Sequence, residues 1–283
     1  MQVAVVLPGP ADFEAWRRTA RGLRAAEVPP EQVAWHLAGE GPGLFGGDPP
    51  APARATQFAV PRAFMALAET VIRHNHPERF ALLYALLWRV TGDAPTLLDN
   101  PAEPLVARAR AMASAVRRDA HKMHAFLRFR AVETPDGVRH IAWFEPDHHI
   151  ERAEAGFFVR RFAQLRWTIV TPRVTLVWDG QTVQAGPGGR KSDLPPEDAM
   201  EPLWRAYYVA ICNPARLKPG AMRAEMPRKY WRNLPETAEI PRLMAEAPAR
   251  LRRMAEEAGA APRHTPQRRP SAHPRANEPP PEA

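Results

Sequence analysis

The sequence predicts an α+β protein, because strand and helix patterns follow each other along one chain of 283 residues. A β-branched run at residues 3–7 followed by a helical pattern predicts a β-α-β unit. Apolar stripes at helical spacing between residues 64 and 123 predict a helical layer. Alternating segments separated by turn residues predict an antiparallel sheet. We therefore expect a short N-terminal β-α-β unit, a helical layer, an antiparallel sheet from two hairpins flanking a helix, and C-terminal helices.

The N-terminal unit starts with the strand at residues 3–7 and continues into a helix that Asp12 can cap. A second strand is predicted at residues 32–37. The sequence then becomes rich in Gly and Pro, which is typical of a loop or linker. The expected organisation is residues 1–38 for the β-α-β unit, 39–59 for the linker, 60–258 for the main α+β domain and 259–283 for a disordered Pro- and Arg-rich tail.

The first three helices of the main domain are predicted from their apolar patterns. Phe64, Leu67 and Val71 line one helical face, and residues 80–88 are apolar nearly all round, as in a buried helix. A third helix starts around Glu103. Its inner stripe of apolar residues runs as far as the stretch of histidines discussed below.

The periodicity changes to two after this third helix. Residues 127–131 alternate apolar side chains with Arg128 and Arg130, and Thr134-Pro135-Asp136-Gly137 supplies a turn before a strand at 138–144. The remaining elements are a helix at 150–165, a hairpin from 167–170 and 174–178 closing at Asp179-Gly180, a helix from Asp193 to Ile211, and a last helix from Glu236 or Ile240 to Glu257.

Composition restricts the possible functions. The formal charge of +8 favours a polyanionic partner such as nucleic acid, although only four of the 39 cationic residues are lysines and an Ala-, Arg- and Pro-rich bias also raises this charge. One cysteine, Cys212, excludes an intrachain disulfide and a thiolate-rich metal site. Neither a signal peptide nor a membrane span is recognisable, so we expect a soluble cytoplasmic protein with no membrane partner.

Five of the ten histidines lie in residues 117–149. His121 and His124 share a helical face and can ligate a divalent metal, with His148 as a third ligand or with acidic groups completing the shell. Alternatively, these histidines and nearby carboxylates transfer protons near neutral pH. A purely structural role, in capping and turn formation, is equally compatible with the pattern. The candidate catalytic residues are His121, His124, Glu145, Asp147, His148 and His149.

Basic and aromatic side chains interleave in several short segments. Cationic groups neutralise phosphates while aromatic rings stack on unpaired bases, so this pattern is typical of nucleic-acid binding. The alternative is that the phenylalanines belong to the core. The candidate nucleic-acid-binding residues are Arg128, Arg130, Arg160, Arg161, Lys229, Tyr230, Trp231 and Arg232.

Several of these motifs also carry a family resemblance. Residues 117–130, 142–149, 157–162, 178–180, 213–216, 225–227 and 229–236 resemble the successive signatures of an uncharacterised bacterial family of DNA-metabolism or repair proteins that contains a domain of unknown function. Members of that family occur alone or fused in front of a uracil-DNA glycosylase-like domain, and they neighbour a radical-SAM protein. The resemblance extends from Met1 to about Met254.

This resemblance implies a role in DNA repair without naming a reaction. The proline-rich tail starts where fused members continue into the glycosylase domain, so glycosylase activity itself is not implied. The leading hypothesis is a DNA-binding accessory module that acts with a uracil-DNA glycosylase-type partner, and a radical-SAM protein is a second possible partner. The alternatives are a metal- or His-dependent enzyme acting on DNA or nucleotides, and a protein-binding scaffold.

Overall fold

A computed structural model describes residues 2–39, 58–194, 226–231 and 234–260. The helices are α1 (Phe13–Ala25), α2 (Arg62–Val71), α3 (Arg79–Val90), α4 (Pro104–Phe126), α5 (Glu151–Arg161), α6 (Arg228–Trp231) and α7 (Ile240–Ala260). The strands are β1 (Val3–Leu7), β2 (Val33–Leu37), β3 (Arg130–Thr134), β4 (Gly137–Trp143), β5 (Trp167–Val170), β6 (Val174–Trp178) and β7 (Val183–Pro187). The predicted α+β class is confirmed.

The N-terminal β-α-β unit forms as the sequence predicts. Strands β1 and β2 pair in parallel with Val3 opposite Val33, and α1 connects them. Asp12 caps α1 by accepting a hydrogen bond from the backbone N–H of Ala15 at 2.9 Å. The apolar face of α1, which includes Trp16, is buried.

Two hydrophobic cores share the long helix α4. The first joins the β-α-β unit to α2, α3 and the N-terminal half of α4, as far as Ala113. The second starts at Val116 and combines the C-terminal half of α4 with α5 and the larger sheet. Because α4 is continuous, side chains of its second half are held rigidly against the sheet. The domain limits drawn from the sequence stay a prediction.

The larger sheet has the strand order β3-β4-β5-β6-β7. Both predicted hairpins are present, but β4 and β5 pair in parallel, so the sheet is mixed rather than wholly antiparallel. The parallel pair arises because α5 carries the chain from the end of β4 back to the start of β5. Strand β7 extends the sheet beyond the predicted hairpins, through the turn at Asp179-Gly180.

Helix α4 starts beside Glu103, as predicted, and Glu103 is its N-cap. The Glu103 side chain accepts hydrogen bonds from the backbone N–H groups of Leu105 at 2.8 Å and Val106 at 3.3 Å. Its other carboxylate oxygen pairs with Arg89 at 2.7 Å, so one side chain fixes α4 against the end of α3.

Some predicted features lie outside the described residues: most of the linker, the helix from Asp193 to Ile211, Cys212, Arg232 and the C-terminal tail. Within the part of the chain that the structure describes, none of the helices combines the length and apolar character needed to cross a lipid bilayer.

Candidate functional site

The candidate site lies where α4 meets the segment that connects β4 to α5. Asp119, on the second half of α4, is 3% exposed and faces this segment. Its Oδ2 accepts a hydrogen bond from the backbone N–H of His148 at 2.8 Å, and its Oδ1 accepts one from the Tyr230 hydroxyl at 3.3 Å. One buried carboxylate therefore joins three segments that are distant in sequence.

Tyr230 is held between aromatic rings rather than exposed. Its ring lies parallel to that of Phe144, at an interplanar angle of 10° and a centroid distance of 5.2 Å, and it contacts Phe126 at 5.5 Å. Only 1% of Tyr230 is exposed. Burial and the neighbouring Asp119 raise the pKa of its hydroxyl, so Tyr230 remains a hydrogen-bond donor at neutral pH.

Lys229 brings a positive charge to the edge of this arrangement. Its ammonium group lies 2.6 Å from Asp147 Oδ1 and 4.7 Å from the centroid of the Tyr230 ring. It also approaches the carbonyl oxygen of Glu145 at 3.5 Å. Lys229 thus fixes the turn at 145–147 against α6 through its ion pair with Asp147 and its contact with the Glu145 carbonyl, while its cation–π contact with Tyr230 lies within α6.

Three histidines gather beside Asp119. The rings of His74 and His148 are 4.3 Å apart, and the backbone N–H of Asn75 donates to His148 Nδ1 at 3.2 Å. The backbone N–H of His149 donates to the carbonyl oxygen of Arg73 at 2.8 Å. These contacts tie the segment after α2 to the segment after β4. We refer to Asp119, Lys229, Tyr230 and the three histidines as the His148 cluster.

A second buried carboxylate supports the cluster from the sheet side. Glu151 is 3% exposed and accepts a hydrogen bond from Arg173 Nε at 2.9 Å. Arg173 in turn donates to the carbonyl oxygens of His148 at 2.5 Å and Pro146 at 3.2 Å. The loop that bears His148 is therefore fixed from both sides.

Burial sets the protonation states of the cluster. Desolvation lowers the pKa of both His74 and His149 to about 4. It is helped at His74 by the neighbouring His148, and at His149 by Arg173 and Arg79. Burial also lowers the pKa of His148; the Asp147 carboxylate opposes this shift, while Arg173, Lys229 and Arg118 act in the same direction as burial. All three imidazoles are therefore neutral at pH 7. The pKa of Asp119 is raised, chiefly by its burial.

His148 is 7% exposed, and one of its two ring nitrogens accepts a hydrogen bond from a backbone N–H. Because Nδ1 accepts the Asn75 N–H, the neutral ring carries its proton on Nε2. No described residue forms a hydrogen bond with that Nε2. A neutral imidazole with a free N–H beside several cations can donate a hydrogen bond to an anionic group or exchange a proton with it.

The predicted catalytic residues separate into two places. Glu145, Asp147, His148 and His149 belong to the connection between β4 and α5, where the Glu145 carboxylate accepts a hydrogen bond from Trp143 Nε1 at 2.8 Å. His124 lies apart, since its Nε2 is 2.7 Å from Glu154 and its ring stacks on Phe157 at 3.7 Å.

The predicted metal trio does not converge. His121 is exposed, and among the described residues neither it nor His124 forms a hydrogen bond or ring contact with His148. Throughout residues 2–39, 58–194, 226–231 and 234–260, no three His, Cys, Asp or Glu side chains are placed to hold a metal ion. The geometry therefore gives no support to a site formed by His121, His124 and His148.

The predicted nucleic-acid-binding residues also lie in more than one place. Phe129, between Arg128 and Arg130, contacts the rings of Phe158 at 6.2 Å and Phe162 at 5.1 Å. Arg160 and Arg161 lie between those two phenylalanines in sequence and are exposed. The two segments that carry these arginine pairs therefore meet through their phenylalanines. We call Arg128, Arg130, Arg160 and Arg161 the arginine end.

The remaining members of the predicted set have other placements. Buried Tyr230 is not accessible for stacking on a base, so the predicted stacking role is replaced by its hydrogen bond to Asp119. Trp231 is half-buried, and its Nε1 donates to the carbonyl oxygen of Met226 at 2.9 Å. Lys229 is paired with Asp147.

Sequence reasoning missed three contributors to the site: His74, Glu151 and Arg173. His74 stands in Arg73-His74-Asn75-His76, a second local concentration of polar residues between two apolar helices. That concentration resembles the one at residues 145–149 and was an available signal. Glu151 and Arg173 carry no such signal, because an acid at a helix start and an arginine at a turn are common surface features.

These features define an α+β protein with a buried carboxylate, neutral histidines and a tyrosine at the junction of two cores. The chain belongs to the DUF4130 family, a domain of unknown function whose model matches residues 77–236. The resemblance extends from Met1 to about Met254, and the family match covers its central part. Asp119, His148 and Tyr230 lie within the matched residues. Neither the curated proteins nor the solved structures gave a match to the chain.

Proposed function

We propose that this protein binds DNA and serves in DNA metabolism or repair. The observation that supports the proposal most is the arginine end, where Arg128 and Arg130 flank Phe129 in sequence, and Phe129 contacts Phe162, the ring under Arg161. Arginines grouped on neighbouring segments can neutralise several phosphates of one nucleic-acid backbone. The formal charge of +8 acts in the same direction.

Phosphate contacts alone give binding without sequence preference. Arg160 and Arg161 are exposed at the C-terminal end of α5, and Arg161 lies over the ring of Phe162 at 5.6 Å. A guanidinium held over a ring keeps its outward N–H groups directed toward solvent, where they can donate to phosphate oxygens. We therefore expect affinity to depend strongly on salt and weakly on sequence.

The double variant Arg160→Gln/Arg161→Gln is expected to weaken DNA binding, because it removes two phosphate-neutralising charges. For duplex DNA, the slope of log affinity against log salt concentration should become shallower by roughly 1.8, from a contribution of about 0.9 per phosphate contact. Fluorescence anisotropy of labelled DNA, titrated at several salt concentrations, measures both quantities.

The matched control is Arg252→Gln/Arg253→Gln, which removes the same charge from two exposed, adjacent arginines of α7. Equal losses in the two double variants would reduce the effect to net charge and contradict a defined interface. Salt-independent binding by the unmodified protein would remove the physical basis of the proposal altogether.

The resemblance described above extends this proposal to a partner. In our proposal the protein is an accessory module that presents DNA to a uracil-DNA glycosylase-like protein, with a radical-SAM protein as a further candidate. Repeating the anisotropy titration with such a glycosylase present tests this extension. A ternary complex that forms with the unmodified protein, and not with Arg160→Gln/Arg161→Gln, is the expected result.

A second candidate function is proton transfer to or from a DNA or nucleotide substrate. It is favoured by one observation: His148 is neutral, has no hydrogen-bond partner for Nε2 among the described residues, and lies near Arg118, Arg173 and Lys229. Lys229 is paired with Asp147 and Arg173 with Glu151, so Arg118 would attract the phosphate while the neutral ring exchanges a proton.

His148→Gln is expected to abolish any such reaction while DNA affinity stays unchanged, since glutamine cannot transfer a proton at neutral pH. Mass spectrometry of DNA and nucleotides incubated with the protein detects the products. His121→Gln, at an exposed position on α4, is the control. If the unmodified protein gives no product, or if His148→Gln retains full turnover, this second candidate fails.

A further inference from the structure

The first core contains a cavity of about 210 Å³ between α1, α2 and α3. Its wall includes the apolar side chains of Trp16, Phe58, Phe64, Met65 and Leu87. Two arginines of α1, Arg17 and Arg21, complete it. This cavity is separate from the His148 cluster and from the arginine end.

The apolar part of the wall is aromatic and rigid. Trp16 and Phe64 are each 1% exposed, and their ring centroids are 6.5 Å apart. On the other side, the guanidinium of Arg21 lies over the Phe58 ring at 5.6 Å. Because Trp16 and Phe64 are buried beneath it, a planar apolar ring that entered the cavity would contact the half-buried side chains of Phe58, Val60 and Met65.

The mouth of the cavity is positively charged. Arg17, Arg21 and Arg24 follow the i, i+4, i+7 spacing and therefore share one face of α1. The acid that pairs with this face is Glu14, which contacts Arg17 at 3.3 Å with both side chains well exposed. An exposed pair of that kind neutralises little of the local field. Arg21 forms no ion pair with any described residue.

We propose that this cavity binds a planar aromatic ring that bears an anionic group. The ring would occupy the apolar wall, and Arg21 would bind the anion at the mouth. The volume is below the 300–1,000 Å³ usual for drug-sized ligands, so the occupant is a single small ring system. The site does not depend on the DNA-binding proposal, because all its named residues except Leu87 precede the matched residues 77–236.

The ligand could be a free nucleotide or an aromatic carboxylate, and titration calorimetry distinguishes these two classes. Thymidine 5′-monophosphate and 2-naphthoate each carry a ring and an anion, thymidine carries a ring alone, and inorganic phosphate is the anion alone. Saturable binding by at least one ring-bearing anion, with weaker binding of thymidine and of phosphate, is expected. The tighter of the two anions then identifies the source.

Arg21→Gln is expected to weaken that binding roughly tenfold, the loss typical of one charge-assisted hydrogen bond. Arg18→Gln is the matched control, since Arg18 is an exposed arginine of the same helix that is not part of the cavity wall. Equal losses in the two variants, equal affinity for thymidine and its monophosphate, or no binding by either anion would overturn the proposal.

A second variant tests the location independently of charge. Met65→Trp places a larger side chain in the cavity at a half-buried position and is expected to abolish binding while the far-UV circular dichroism spectrum stays unchanged. Unchanged affinity in this variant would show that the ligand binds elsewhere and would refute the site. Neither result bears on the DNA titrations.

Discussion

Asp119→Ala is expected to lower the free energy of unfolding by about 2–5 kcal/mol, because it leaves two buried donors without an acceptor at about 1–3 kcal/mol each. Those donors are the backbone N–H of His148 and the hydroxyl of Tyr230. Asp119 is 3% exposed, so water has little access to replace the carboxylate. Urea unfolding followed by circular dichroism measures the change.

Asp119→Asn separates the hydrogen bonds from the charge. Its carbonyl oxygen can accept from the His148 N–H, and its amide group can donate to the Tyr230 hydroxyl, which is able to accept. The loss in Asp119→Asn should therefore be smaller than in Asp119→Ala by at least about 1 kcal/mol. Equal losses in the two variants would mean that these hydrogen bonds do not stabilise the fold.

Tyr230→Phe is the matched control, because it removes the donor of the hydrogen bond between Tyr230 and Asp119. It removes one donor and keeps the ring between Phe126 and Phe144, so we expect a loss of about 1 kcal/mol. A larger loss of unfolding free energy in Tyr230→Phe than in Asp119→Ala would mean that Tyr230 stabilises the fold by other contacts than its bond to Asp119. The comparison also tests whether Asp119 acts by positioning His148, since Tyr230→Phe leaves the bond to the His148 N–H intact.

Local features of the fold were predictable from local sequence. Asp12 caps α1 as predicted, and α4 starts beside Glu103 as predicted, because a capping side chain bonds to N–H groups only two or three residues away. The turn at residues 134–137 likewise depends on its own residues. The parallel pairing of β4 with β5 was not predictable in this way, since it depends on where α5 packs.

The candidate site was predictable only in part for the same physical reason. The polar run at 145–149 marks one segment, but its partners are distant: Asn75 is 73 positions from His148, and Tyr230 is 111 from Asp119. Periodicity and composition carry no information on such pairs. His121 and His124 show the same limit from the local side. Helical spacing places them near each other, but it does not predict which residues face each ring.

Histidines whose pKa is low only in the folded state make stability depend on pH. His74 and His149 have a pKa of about 4 when folded and an ordinary value of 6.5 when unfolded. Between those values the unfolded chain binds more protons, so acidification favours unfolding. We expect stability to be fully present above pH 6.5 and to decline as the pH falls toward 4, by on the order of 1 kcal/mol per pH unit after allowance for partial solvent exposure.

Asp119 opposes this decline. Its pKa is raised on folding, so the folded state binds its proton more readily and gains stability as the pH falls below that raised value. Asp119→Asn removes this compensation, and its unfolding free energy should therefore fall more steeply than that of the unmodified protein at the acidic end of the range. Urea unfolding at half-unit steps from pH 7.5 to 4.5 resolves the two slopes.

His149→Gln and His74→Gln should each flatten the profile, because glutamine keeps a polar side chain and takes up no proton. His121→Gln, on the exposed face of α4, should leave the slope unchanged. A wild-type profile without slope between pH 6.5 and 4.5, or a slope that persists in the double variant His74→Gln/His149→Gln, would show that these imidazoles are not kept neutral by burial. The same result would remove the basis for His148 as a neutral proton-exchanging group, since desolvation is the first cause of the low pKa in all three.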